Sequence, residues 1–420
     1  MKSHRYLASG LIGLTSSLAL AGEPDTTIAT PIGTTGSPDF MEKIKFTGDI
    51  RARYEFRETD PLDESNSGTI RARIGLGLGD FNGFSAFVEG EFTEALLRDF
   101  RSNPTASQST RPYRAGQTVI ADPDNAELNQ AYLKYAKEGY WAKVGRQSIV
   151  RGGAQHIGNV IWRQNMQTFD AAEIGYKDDK FSVSYVYSDR ALRIFGADAN
   201  DAPPGPPLRS FDGDFHFLDA SYKADFGDVG GYVYLVDIDN NANVGESNTY
   251  GAYTKSGGLY AEFAFQDGTS NIAGGDYTSA YAHVNYTTPL AGGKVKFACE
   301  YLGDHFKTPF STVHKFNGFA DAFILQRIGL NSGPAGSYNG ITDLHVSYIK
   351  KGLPGDINFV GTLHAFLDGK ADEAYGYEAD CVLTKKFTPD ILGLLKCAYF
   401  AGENEYEDIK QVTAELNFSF

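Results

Sequence analysis

The chain has 420 residues, 42% of them hydrophobic and 22% charged, with 38 Lys+Arg against 53 Asp+Glu and a formal net charge of −15. That acidity disfavours nucleic acid as a partner, and three cysteines are too few for a disulfide framework. The 47 Gly, 25 Tyr and 29 Phe, beside 3 Met and 2 Trp, weight the chain toward turns and strands.

Residues 1–21 read as a signal peptide for Sec-type export. Lys2 and Arg5 precede the mostly apolar stretch Leu7 to Leu20, and Ala19-Leu20-Ala21 supplies a small-x-small cleavage site. The apolar run is short and broken by Ser and Thr, and no later stretch reaches the roughly 20 apolar residues a spanning helix needs. Residues 22–41, rich in Thr, Gly and Pro and without strand periodicity, are expected to form a flexible lead.

From Glu42 onward, strand-like runs recur. In DIRARYEFRE (Asp49 to Glu58), Ile50, Ala52, Tyr54 and Phe56 share one face, while Arg51, Arg53, Glu55 and Arg57 share the other. TIRARIGLGLG (Thr69 to Gly79) sets Ile70, Ala72, Ile74 and Leu76 against Arg71, Arg73 and the glycines Gly75, Gly77 and Gly79, which are expected to leave open space. A hairpin loop centred on Leu62 puts Arg51 across from Arg73 and Arg53 across from Arg71, with Glu89 and Glu91 of the next strand beside Arg71 and Arg73. Like charges facing each other destabilise a sheet. The ladder is therefore either self-neutralised or a track that grips carboxylate or phosphate groups.

Farther along, clean alternation fades near Asn129, Arg146 and Asp170, where bulges are expected. Arg146 falls in the apolar phase set by Ala142 and Val144. A guanidinium facing lipid at mid-depth costs about 2–4 kcal/mol, so a bulge turning it into the lumen is expected. Arg163 and Gln164, after Trp162, either narrow a pore or tie their loop to its wall. Phe306, Phe310, Phe316, Phe319 and Phe323 make the 303–340 connection too apolar to remain in water, and it is expected to constrict a channel, as is the connection at 95–125. His314 and Lys315 in that loop either meet solute or anchor it. Glu262, Glu300, Glu378 and Asp380 fall in the lumenal phase and are expected to make another part of the pore anionic. Cys381 and Cys397 lie at equal distances from the turn at Pro389, either bonded across a hairpin or free and lipid-facing. The last strand sets Val412, Ala414, Leu416, Phe418 and Phe420 against Gln411, Thr413, Glu415, Asn417 and Ser419; its terminal Phe resembles the C-terminal signal of bacterial outer-membrane barrels.

Eight tight turns alternate with nine longer connections along the chain. Short turns on one side and long loops on the other are the pattern of outer-membrane barrels. The expected fold is all-β: one antiparallel transmembrane barrel of about 18 strands over residues 42–420, with a lumen wide enough for an aqueous channel unless loops fill it. The eight histidines show no HExxH or other compact metal spacing, and no nucleophile elbow is present. No catalytic residue, metal or cofactor is expected.

Two stretches add a family resemblance. KVGRQSIVRGGAQHIGNVIWRQNMQTFDAAEIGY (Lys143 to Tyr176) holds a GRQ element and an IGN-x-x-WRQN-x-QTFDA element, and FKTPFSTVHKFNGFADAF (Phe306 to Phe323) is dense in aromatics. With RARYEF early and YGYEAD late, the chain from about Glu42 to its end resembles the alginate-export family of outer-membrane porins. The resemblance implies an 18-stranded barrel in the outer membrane of a Gram-negative cell. It implies diffusion of anionic carbohydrate or small acidic solutes through an arginine-containing lumen. Pore-lining candidates are then Arg51, Arg53, Arg71, Arg73, Glu89, Glu91, Arg146 and Arg163, with Phe306, Phe310, His314, Lys315 and Phe316 in a constriction loop. The protein is expected to be a monomer whose other partners are outer-membrane lipids. A general porin for small nutrients is the alternative; an outer-membrane enzyme or an adhesive barrel is a more distant one.

Overall fold

Alternating apolar and polar residues, interrupted by tight turns, favour strands that each pair with their sequence neighbour. The computed structural model describes residues 43–104, 110–199 and 209–420; the signal peptide and lead expected at 1–41 lie outside these. The strands are β1 Ile44–Thr59, β2 Ser65–Phe81, β3 Phe84–Asp99, β4 Asn125–Lys137, β5 Tyr140–Gln147 and β6 Thr168–Lys177. They continue as β7 Phe181–Leu192, β8 Ser210–Ala224, β9 Gly227–Ile238, β10 Glu246–Ser256, β11 Leu259–Ser270 and β12 Gly275–Leu290. The remainder are β13 Gly293–Leu302, β14 Ile341–Leu353, β15 Ile357–Leu367, β16 Ala374–Thr388, β17 Ile391–Gly402 and β18 Ile409–Ser419. Each is antiparallel to the next, and β18 returns to β1 from Asp49↔Ser419 to Thr59↔Ile409, closing an 18-stranded barrel. The eighteen strands and closed antiparallel topology are those read from the alternation.

The outer face is apolar: Phe46, Leu133, Ile174, Phe263 and Leu363 are all well exposed. Aromatic rings gather at the tight-turn end, where Phe84 meets Tyr135 and Tyr140 meets Tyr176 with centroids 4.7 Å apart. An apolar band with an aromatic girdle is what a lipid bilayer demands of a barrel exterior. The molecule is an outer-membrane-type transmembrane barrel, and its tight turns mark the periplasmic end. Among the described residues, α-helix is confined to the four residues Ile324–Arg327 within the 303–340 loop.

Register corrects several local expectations. The β1–β2 hairpin centres on Pro61, not Leu62, so Arg51 faces Arg71, Asp49 faces Arg73 and Arg53 faces Thr69. The expected proximity of Glu91 to Arg73 is present, but Glu89 faces Gly75. The β3–β4 ladder slips around Asn129 and the β6–β7 ladder slips beside Asp170. β5 carries no slip against either neighbour. Arg146 therefore stays on the outer face, at the loop end of β5, where Asp170 of β6 takes both its Nε (2.8 Å) and Nη2 (3.0 Å). It is not pore-lining: a paired carboxylate near the rim removes the penalty that a bulge was expected to avoid. Gly75 does not open the lumen either, because a Cβ there would lie 2.7 Å from the Phe87 ring. Cys381 and Cys397 do face each other, on the lipid side, as free thiols.

Candidate functional site

The lumen has two unlike halves. On the β1–β3 and β18 side, the arginine ladder is buried beneath a loop. Arg51 Nη1 donates to the carbonyls of Ile161 and Trp162, both at 3.1 Å, and Arg53 also donates to the Trp162 carbonyl. The Arg53 guanidinium lies 4.3 Å from the Trp162 ring centroid, and Lys396 Nζ lies 3.1 Å from it. His314 stacks parallel on the same ring at 4.2 Å. Carboxylates then neutralise the guanidinium groups. Glu415 takes Arg53 Nε at 2.7 Å and Asp122 takes Nη1 at 3.0 Å. Asp49 pairs with Arg71 and Arg73. Arg163, from the loop itself, donates to Glu55 at 3.1 Å and approaches Asp321 at 3.5 Å. Arg57 donates to the Ala320 carbonyl at 2.7 Å. Glu89 accepts from Asn129 at 2.7 Å, and Glu91 accepts from the Met166 amide at 3.1 Å. Each guanidinium of the ladder thus has loop carbonyls or carboxylates within reach, and the patch works as a clamp.

Two loops interlock inside the barrel to make this clamp. The Gly158 amide donates to the Phe310 carbonyl (2.8 Å), the Val160 amide to Thr312 Oγ1 (3.0 Å) and the Thr312 amide to the Ala154 carbonyl (3.0 Å). Phe310 inserts among Phe169, Phe215 and Phe217 of the wall, and Phe323 among Phe366, Phe400 and Tyr406. Phe306 stacks on Tyr281. The aromatic density of 303–340 is therefore spent on anchoring the loop to the wall. Burial drives the His314 imidazole down to about 3 against the pull of Asp321. It stays neutral, donating through Nδ1 to Asp321 at 2.8 Å and accepting from Lys396 at Nε2.

The lumenal acids expected to make the pore anionic are consumed in the same way. Glu262 accepts from Gln155, Tyr232 and Tyr260, each at 2.6 Å. Glu300 accepts from Arg327 at 3.0 Å and from Tyr281 at 2.8 Å, and Glu378 accepts from the Ala320 amide at 2.8 Å. Asp380 lies 3.4 Å from His364 Nε2. Glu262, Glu300 and Glu378 thus hold the inserted loops and Asp380 holds His364 of the wall, while Glu300 and Asp380 also border open space.

The open space lies elsewhere, on the periplasmic side of the loops against β6–β16. It is a cavity of about 560 Å³ whose ceiling is Gly152, Gly153, Gln155 and the Lys315–Phe319 segment. Its walls carry Lys177, Lys180, Lys223, Lys255, Lys294 and Lys296, with Lys315 above, against Asp178, Asp228, Glu300 and Asp380. Of the sequence-predicted site residues, Lys315 and Phe316 line it; the arginines, Phe306, Phe310 and His314 do not. Burial, then the neighbouring charge of Lys296, hold the Lys315 ammonium down to about 8. Sequence reasoning missed the lysines because they come singly or in pairs from separate hairpins, Lys177 and Lys180 flanking the β6–β7 turn, Lys223 on β8, Lys255 on β10, and Lys294 and Lys296 on β13. Their common signal is a lysine in the lumenal phase near a tight turn, repeated from β6 to β13.

His345, His364 and Asp380 share the cavity wall. The sequence held no compact metal spacing, yet the barrel brings Asp343, His345 and His364 together, with their ligand atoms all within 4.8 Å of one another.

Comparison with known proteins bears on this arrangement. Residues 42–187 match the alginate-export family model. The alginate-export match covers β1 to β6 and part of β7, and so includes both the arginine ladder and the Trp162 loop. No curated protein sequence matches the chain. Among solved structures, Pseudomonas aeruginosa OpdK, crystallised with vanillate, superposes with a TM-score of 0.64 at 14% identity over 91% of this chain and 99% of its own. Pseudomonas aeruginosa OccK9 (OpdG) gives 0.65 at 12% identity, over 91% and 100%. Acinetobacter baumannii OccAB4 gives 0.63 at 12% identity, over 90% and 98%. These likenesses extend the alginate-export region's barrel architecture to nearly the whole chain.

Proposed function

We propose that the barrel is a diffusion channel for anionic solutes, with the lysine vestibule as its charge filter and the arginine ladder as the anchor of the loops that narrow it. The observation that carries this reading is the imbalance on the cavity wall: seven named lysines against four named carboxylates, with Lys315 in the loop ceiling and Lys296 near enough for its charge to act on it. A narrow passage with low-dielectric walls focuses the field of such charges and concentrates counter-charged solutes. The alginate-export match supports uronate oligomers as one solute class, and the vanillate in the OpdK crystal structure supports small organic carboxylates as another. Passage of a polysaccharide chain requires the interlocked loops to move, so small acids are the solutes expected to cross with the loops seated.

The test is reversal potential across a salt gradient in planar bilayers. Replacing Lys294, Lys296 and Lys315 together by Gln should shift it toward cation preference and weaken block by oligouronates, while flux of a neutral sugar changes little. An unchanged reversal potential would remove the vestibule as the filter and favour a general porin.

A further inference from the structure

We propose that Asp343, His345 and His364 form a binding site for one divalent transition-metal ion on the lumen wall. Asp343 and His345 sit two residues apart on β14, so their side chains share the lumenal face. His364 of β15 lies directly across the ladder from His345. The imidazole centroids are 4.7 Å apart, and both Nδ1 atoms converge on one carboxylate oxygen: His364 Nδ1 lies 2.8 Å and His345 Nδ1 3.3 Å from Asp343 Oδ1. Tetrahedral ligands on bonds of about 2.1 Å stand about 3.4 Å apart, so small rotations admit an ion at their centre.

The surroundings fit the same role. A ligating imidazole ordinarily gives its second nitrogen to a carboxylate, which orients the ring. Here Asp380 Oδ2 stands 3.4 Å from His364 Nε2. Asn317 Nδ2 lies 3.5 Å from Asp343 Oδ2, the oxygen turned away from the imidazoles. His345 and His364 border the cavity, which leaves a remaining coordination position for water or for a carboxylate solute. Two imidazoles and one carboxylate suit Zn²⁺ and its first-row neighbours over Ca²⁺ or Mg²⁺, which prefer all-oxygen shells. Because Asn317 belongs to the constricting loop, the ion would also brace that loop against the wall.

The experiment is calorimetric titration of Zn²⁺ into the purified full-length barrel in detergent after removal of any affinity tag, with heat-modifiable gel mobility to verify folding. Wild type should take up one equivalent. The variant carrying His345→Ala and His364→Ala should lose that uptake. Asp380→Asn, which touches no ligand atom, should weaken it about 10- to 100-fold, and it carries the test if the double variant does not fold. Replacing Zn²⁺ by Co²⁺ should give the visible absorption of a low-coordinate site in wild type. A wild type that takes up no Zn²⁺, or a folded double variant that binds as well as wild type, overturns the proposal.

Discussion

Asp122 shows how much one side chain holds in this lumen. It is fully buried, takes Arg53 at 3.0 Å and accepts the Gln164 amide at 2.8 Å. Burial pushes its carboxyl up, but the Arg53 and Arg163 guanidinium groups outweigh that and hold it below the usual range. Removing one partner of a buried pair leaves an uncompensated charge and costs about 3–5 kcal/mol. The barrel ladder is too extensive to give way, so the loop should. Asp122→Ala is expected to unseat Trp162, raise single-channel conductance and expose the 148–167 loop to protease; a conductance equal to wild type would show that the clamp survives without it. Lys315 makes a second prediction at this scale. With its ammonium held near 8, it is charged below that value and neutral above it. Anion preference should therefore strengthen as pH falls from 9 to 7, and Lys315→Met should flatten part of that dependence in the reversal potential.

Loops and strands differ in how legibly they are written. The strands were legible because apolar and polar residues alternate with period two in most hairpins, and tight turns punctuate them. Register was less so: a slip of two residues returns every side chain to its own face, so alternation alone does not separate a loop centred on Leu62 from one centred on Pro61. Asn129 signalled its bulge by breaking phase. Arg146 gave a false signal, since its partner Asp170 lies on the neighbouring strand and only the register discloses the pair. The vestibule was illegible for the same reason. Lys223, Lys255 and Lys296 converge through a barrel geometry that no local window contains. For the 303–340 loop, aromatic content announced burial correctly but left open where each ring goes. Deleting Phe306 to Phe323 withdraws Phe310 and Phe323 from the wall clusters and Asp321 from Arg163. Conductance should rise and size exclusion should loosen, and solute-size cut-off in liposome swelling is the measurement.

At the scale of the whole molecule, the barrel depends on the contact between β1 and β18. The Gly48 amide donates to the Phe420 carbonyl at 3.0 Å, the Phe420 amide donates back at 2.9 Å, and the Phe420 ring lies over Gly48 where a Cβ would stand. Gly48→Val should displace that ring and lower the fraction of protein that runs as the compact, heat-modifiable form on gels. An unaltered fraction would show that the terminal ring is dispensable for closure.

That seam also joins charge to backbone pairing. Glu415, which takes Arg53, rides on β18, the last strand of the barrel, whereas Arg51 and Arg53 ride on β1, the first. Until the two ends meet, the paired strands form a sheet with two bare edges, one of which carries the arginines of β1 without the Glu415 carboxylate. Arrival of the final strand satisfies the hydrogen bonds of both edges and delivers the missing carboxylate in one step. A sheet halted short of it has neither, and so keeps an open, adhesive and positively charged margin until it is completed or destroyed.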